Sequence, residues 1–260
     1  MIASGAHRSR CLTALVGLPL LGACLWLGGW FFFFLVLAVT LAALWEFHGL
    51  FPAGGPCVRG LSLALGALMV WLGFRFGPGA ALAVVPAAFW LEEIVRLWHD
   101  RPGSPRWLLS ASLIYLPGSL QFLCSFSPAE TTLVLAVVMA SDTGAYYAGH
   151  LIGGPKIWPR VSPKKTWAGS LGGLTASAAV CLAAGALWGK AQPWTYALLG
   201  AALSVAGQMG DFLESAWKRA SDVKDSGSIL PGHGGLLDRI DALIPAVLVY
   251  ALARTLVPFP

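Results

Sequence analysis

Half of the 12 acidic residues in this 260-residue chain fall within one stretch, Asp211–Asp241. They are Asp211, Glu214, Asp222, Asp225, Asp238 and Asp241. A loop that only joined two apolar helices would not need them. Asp211, Ser215 and Lys218 follow spacings of four and three, which on a helix share a face. Asp238 and Asp241 are three apart and share another. If the two faces meet, three carboxylates gather into a hard-oxygen site suited to Mg2+. Lys218, Arg219, Lys224 and Arg239 supply cations for phosphate. Pro231-Gly232-His233-Gly234-Gly235 reads as a sharp turn opening the last helix, and Gly234 and Gly235 let backbone amides approach an anion. Together these features point to metal-assisted phosphoryl or nucleotidyl transfer. The plainer alternative is an amphipathic interfacial loop whose charges pair with one another.

Two further constellations lie upstream. Ser162-Pro163-Lys164-Lys165-Thr166 precedes a helix start, so its hydroxyls and lysines suit a phosphate or an anionic lipid. Ordinary basic residues at a membrane edge would look the same. Asp142, Tyr146 and His150 are spaced by four along one helical stripe. An acid inside an apolar span is a site candidate by default, against the simpler reading of a packing hydrogen bond. His233 suits a phosphate contact or a structural role in its turn. Asp225 follows Lys224 and reads as orienting a lysine or reaching a metal through water.

The elements that must hold these residues are membrane spans. Hydrophobic residues make up 57% of the chain and charged residues 11%, and mean hydropathy is +0.72. Soluble domains carry about 25% charge, so the bilayer is the natural solvent. Cys11, Cys24, Cys57, Cys124 and Cys181 lack metal or redox spacing and read as packing residues. Met1–Leu27 resembles a signal peptide but reads as a retained first span. Cutting the apolar runs at polar and Gly/Pro punctuation predicts nine spans, near 12–28, 29–47, 59–76, 78–97, 107–124, 130–150, 168–188, 194–213 and 242–257. The first two are separated by a Gly28-Gly29 hinge. With the N-terminus in the cytoplasm, only Arg75, Lys190 and Arg254 of the 17 basic residues fall on the far side. Arg8, Arg10, Arg59, Arg96, Arg101, Arg106 and the basic residues of loops 151–167 and 214–241 fall inside, as the positive-inside rule favours. Glu46, Glu92 and Glu93 read as lying near cytoplasmic helix ends. The expected fold is therefore an all-α polytopic membrane protein. Residues 1–130 would form an N-terminal transmembrane part and residues 131–260 a C-terminal catalytic part containing the two loops.

On these residues the chain resembles the phosphatidate cytidylyltransferase family, the CDP-diacylglycerol synthases. The family's signature is matched by Ser215, Lys218-Arg219, Lys224-Asp225, His233-Gly234-Gly235 and Asp238-Arg239-Ile240-Asp241. Ser162–Trp167 and Ser141–Tyr146 resemble its upstream blocks. The likeness is close over Ser141–Asp241 and only a hydrophobic pattern before that. Trp217 departs from the family's aliphatic residue or Phe, off the Ser215/Lys218 stripe, so a packing change is expected. The resemblance implies conversion of CTP and phosphatidate to CDP-diacylglycerol and pyrophosphate, with Mg2+ and a monovalent cation as an open addition. Asp211, Asp238 and Asp241 map onto its metal-binding positions. Lys218, Lys224 and Asp225 join them as candidate catalytic residues. Asp142, Ser162, Lys164, Lys165, Thr166, Ser215, Arg219, His233, Gly234, Gly235 and Arg239 are candidates for substrate binding. It further implies a homodimer in the inner membrane and no nucleic-acid partner. A lipid or polyprenol kinase has similar needs and stays open. A transporter for a phosphorylated solute would place charges at mid-membrane in repeated halves, and no internal repeat is evident.

Overall fold

The computed structural model describes residues 2–89, 108–230, 232 and 234–259, with side chains placed from residue 15 onward except at position 53. Pro231, His233, Glu92, Glu93, Arg96, Arg101, Arg106 and the end of the fourth expected span lie outside the described residues. The chain divides into two compact units: residues 1–125 with 221–239, and residues 126–220 with 240–260. Loop 221–239, grouped by sequence with the C-terminal half, thus packs with the N-terminal helices.

In the first unit, α1 (Ile2–Leu27) and α2 (Gly29–Leu50) are separated at Gly28. Gly28 and Gly29 have φ of 60° and 50°, a conformation that glycine adopts without steric cost, so the expected hinge is present. A 310 turn at Pro52–Gly54 leads to α3 (Gly55–Phe76), followed by α4 (Pro78–Leu82). The fifth apolar run is broken into α5 (Leu108–Tyr115), α6 (Pro117–Leu120) and a 310 turn. Pro117 has no amide hydrogen to continue the helix. Met69, Ala81, Val84, Ala88, Leu109 and Leu113 form a buried apolar cluster, and Ser62 and Ser112 share a buried hydrogen bond of 2.9 Å.

In the second unit, α7 (Pro128–Leu151) starts with a capping box in which Ser127 and Glu130 satisfy each other's backbone amides. α8 (Trp167–Trp188), α9 (Pro193–Ala220) and α11 (Leu243–Leu256) complete the bundle. The short α10 (Leu237–Ile240) precedes α11. Small residues let the helices of this unit approach closely. A Cβ on Gly173 would stand 2.8 Å from the Ser141 carbonyl, and one on Gly169 would stand 2.8 Å from the Ala145 carbonyl.

The fold departs from all-α at one place among the described residues. Strands β1 (Lys156–Trp158) and β2 (Ser162–Thr166) pair antiparallel. Gly153 and Gly154, with φ of 68° and 92°, turn the chain out of α7, and Pro163 excludes a regular helix there.

Gly29–Leu50, Gly55–Phe76, Leu108–Ser125 and Trp167–Trp188 are long and apolar enough to cross a bilayer. This is an α-helical membrane protein.

Candidate active site

In the first unit, loop 221–239 is organised around two carboxylates. Asp238 accepts hydrogen bonds through one oxygen, Oδ2, from the Ser226 amide at 2.9 Å, the Ser226 hydroxyl at 3.0 Å and the Gly235 amide at 3.0 Å. Glu46, near the end of α2, is 3% exposed. Its Oε2 accepts from the Leu237 amide at 2.8 Å and the Ser226 hydroxyl at 3.3 Å, and its Oε1 from the Ile229 amide at 3.4 Å. These bonds supply the partners that buried backbone donors need. The loop is also tied at its start, where the Ser221 hydroxyl donates to the Leu50 carbonyl at 2.9 Å.

Glycine is sterically required inside this knot. A Cβ on Gly235 would collide with the Ser226 hydroxyl and stand 2.8 Å from carboxylate oxygens of both Glu46 and Asp238. One on Gly227 would enter the Glu46 carboxyl group. Gly232 and Gly234 turn the chain with φ of 77° and 84°, and the Leu230 amide donates to the Gly234 carbonyl at 3.1 Å. The expected glycine turn is thus built, with Asp225 beside Gly234. Lys224, Asp225 and Arg239 are exposed. His233 lies outside the described residues.

The second unit holds the other charged cluster. α9 continues past the expected end of the eighth span and carries Asp211, Glu214, Ser215 and Lys218 on unbroken helix. The Ser215 hydroxyl donates to Asp211 at 3.4 Å. Lys165, from β2, pairs with Asp211 and lies 4.3 Å over the Phe212 ring. Lys218 pairs with the fully buried Glu214 at 2.7 Å. Asp241 is buried, and its Oδ1 accepts from the Ala242 amide at 2.7 Å. Its backbone lies close against α9, where a Cβ on Gly210 would overlap the Asp241 carbonyl. Burial pushes the Asp241 carboxyl well above the ordinary 3.8, and the charges of Asp211 and Glu214 push it the same way. Asp142 lies within electrostatic reach of Asp211 and Lys165.

Thr166 is buried and caps α8, its hydroxyl accepting from the Gly169 amide at 3.1 Å. Ser162 is half-buried in β2, and Lys164 and Arg219 are exposed. Tyr146 and His150 stack with ring centroids 6.2 Å apart, as their spacing implies.

The acidic residues therefore divide. Asp211, Glu214 and Asp241 belong to the second unit, and Glu46 and Asp238 to the first. Glu46 was legible only as an acid near a helix end. Glu214 carried a signal in its four-residue spacing to Lys218, which was not drawn into the expected metal set. Among the described residues, no group of three His, Cys, Asp or Glu side chains is placed to hold a metal ion. The donor chemistry nevertheless suits a hard divalent cation. Asp211 and Asp241 offer carboxylate oxygens in an apolar bundle, and their mutual repulsion is what such an ion relieves.

Residues 8–257 match the cytidylyltransferase family. The chain belongs to that family. It is 35% identical over 258 residues to the phosphatidate cytidylyltransferase of Brucella suis, covering 92% of this chain and 90% of that protein. It is 33% identical over 246 residues to the phosphatidate cytidylyltransferase of Mycobacterium tuberculosis strain H37Rv, covering 86% of this chain and 75% of that protein. A shorter match to the phosphatidate cytidylyltransferase of Bacillus subtilis reaches 46% identity over 109 residues, 42% of this chain and 40% of that one.

Proposed function

We propose that this cytidylyltransferase is a phosphatidate cytidylyltransferase, joining CTP and phosphatidate to give CDP-diacylglycerol and pyrophosphate. The relatives' shared activity supports the reading. The observation that carries it in this chain is the buried Asp241 beside Asp211 and Glu214, with Lys165 and Lys218 paired to the latter two. Acids and cations held together in an apolar bundle suit a phosphate-rich substrate.

A lipid phosphate oxygen attacks the α-phosphorus of CTP in line. The new P–O bond forms as the bond to the β-phosphate breaks, and pyrophosphate leaves. The attacking phosphate monoester is already largely anionic, because its second pKa lies near ~6, so no strong general base is required. Positioning and charge neutralisation supply most of the rate. Lys165, Lys218, Arg219, Lys224 and Arg239 provide the positive charge. Ser162, Lys164 and Ser215 offer further phosphate contacts. Gly234 and Gly235 keep the loop backbone open to phosphate, and Asp238 and Glu46 hold that backbone in shape. Mg2+, when bound, would be held by Asp211 and Asp241 and would neutralise phosphate charge. Asp238, the third carboxylate in the family's metal-binding pattern, here also secures the turn.

The proposal extends to nine spans with the N-terminus cytoplasmic, residence in the inner membrane, and a homodimer. The lopsided distribution of basic residues supports the orientation.

The test uses detergent-purified protein with CTP, phosphatidate and Mg2+, following pyrophosphate. Release that depends on all three supports the activity. No release, or release that ignores phosphatidate, refutes it.

A further inference from the structure

The last turn of α2 has two working faces. Glu46 faces the loop, as described above. Trp45, His48 and Gly49 lie within about 1.1 turns of one another and line a separate, half-open cavity of about 480 Å3, with Gly55, Arg59 and Gly60 at the start of α3 on its other side.

His48 is 4% exposed, yet neither ring nitrogen has a hydrogen-bond partner. Leaving a buried polar atom unbonded costs about 1–3 kcal/mol, so the imidazole carries hydrogen-bonding capacity that no described residue uses. Arg59 stacks over the Trp45 ring at 3.2 Å and donates through one terminal nitrogen to the Trp45 carbonyl at 2.8 Å. Its Nε is buried and unbonded, and among the described residues no carboxylate pairs with it. α3 also begins without a side-chain cap, so its first-turn amides and helix dipole add positive potential to the same wall.

The depth of the cavity follows from the helices. α2 and α3 are each 22 residues of span-grade apolar sequence, about 33 Å long at ~1.5 Å per residue, against a hydrocarbon core of ~30 Å. A cavity between the end of one and the start of the next stands at headgroup level on one face of the bilayer. Trp45, 51% exposed, suits that interface.

We propose that this cavity binds a phosphate group, held by Arg59, His48 and the first turn of α3. The phosphate sources available at that depth are a lipid headgroup and free phosphate, and the experiment separates them.

Native mass spectrometry of the detergent-purified full chain would be run with phosphatidylglycerol, with diacylglycerol of the same acyl chains, and with inorganic phosphate. CTP is omitted, so the result stands or falls independently of catalytic activity. Two variants remove the site by different routes. Arg59→Gln removes the charge. Gly60→Phe fills the cavity from a helical position whose Cβ meets nothing within 4 Å. Loss of a charged hydrogen bond predicts phosphatidylglycerol affinity about tenfold lower in each folded variant, with diacylglycerol bound far more weakly by the wild type. If inorganic phosphate binds and displaces phosphatidylglycerol, the source is free phosphate. If it does not, the source is the lipid. Equal phosphatidylglycerol binding by wild type and folded variants overturns the site, and so does diacylglycerol binding as tight as phosphatidylglycerol. Should either variant fail to fold, His48→Asn reads the same loss, and unchanged binding there is equally fatal.

Discussion

The Glu46 carboxylate accepts the Leu237 backbone amide at 2.8 Å, joining positions 191 residues apart. An acid near the end of α2 therefore fixes the point where loop 221–239 enters α10. Removing its charge tests that link. Glu46→Gln keeps an acceptor oxygen but weakens bonds that were charge-assisted, by about 1 kcal/mol each. The expected result is a fall in kcat of roughly tenfold with little change in KM for CTP. Glu46→Ala leaves buried amides unpaired and should also lower the thermal midpoint. Unchanged kcat in a folded Glu46→Gln protein would show that the loop does not depend on this residue.

Gly235 tests the same knot by volume. Gly235→Ala places a methyl group against Ser226, Glu46 and Asp238, and the loop must open to admit it. Turnover should fall at least a hundredfold, as misplacement of about 1 Å can cost. Gly79→Ala is the control, since a Cβ there meets nothing within 4 Å, and pyrophosphate release should be unchanged. Similar activities in the two variants would contradict the packing argument.

Asp241 predicts opposing effects on stability and activity. Its carboxyl is raised above 3.8 chiefly by burial, so the folded state holds its proton more tightly than the unfolded state does. By linkage this residue's contribution to stability declines as pH rises from about 3.8 towards the raised value. Asp241→Asn removes that term. The variant should be at least as stable as wild type at neutral pH in a thermal melt, and its stability should fall less with rising pH. Cytidylyl transfer should be lost. A variant that is both destabilised and active would count against the assignment.

Thr166 separates capping from substrate binding. Thr166→Ser retains the hydroxyl that accepts the Gly169 amide and should keep both stability and activity. Thr166→Ala loses the cap and should cost about 1 kcal/mol, read as a lower midpoint in detergent. If Thr166→Ala instead melts normally while its KM for CTP rises, the hydroxyl serves substrate.

Orientation is checked with reporter fusions. Nine spans and a cytoplasmic N-terminus place Pro260 on the far side of the membrane. A phosphatase fused there should be active only when exported, and a cytoplasmic signal would break the topology.

Sequence by itself determined the solvent of this protein, its reaction class and the clustering of half its acids in Asp211–Asp241. Apolar run length sets which segments suit a bilayer, and helical spacing alone put Asp211, Ser215 and Lys218 on one face and stacked Tyr146 on His150. Those are local properties, set by 1.5 Å of rise and 3.6 residues per turn. The Gly28-Gly29 hinge was likewise readable, because positive φ is a glycine property. Tertiary structure alone decided the partners. Glu46 looked like one more acid at a helix end until the loop amides of Ile229 and Leu237 were found on it. Spacing marks Thr166 as a phosphate candidate, but only the packed chain shows its hydroxyl capping α8. Lys165 and Asp211 are 46 positions apart with no spacing rule between them. The two-stranded hairpin was hidden for the same reason, since strand pairing depends on a partner that five residues of sequence do not name. Spacing reports neighbours along one helix. Where a buried amide or carboxylate finds its counterpart depends on which distant segments the chain brings within 3 Å, and packing makes that choice.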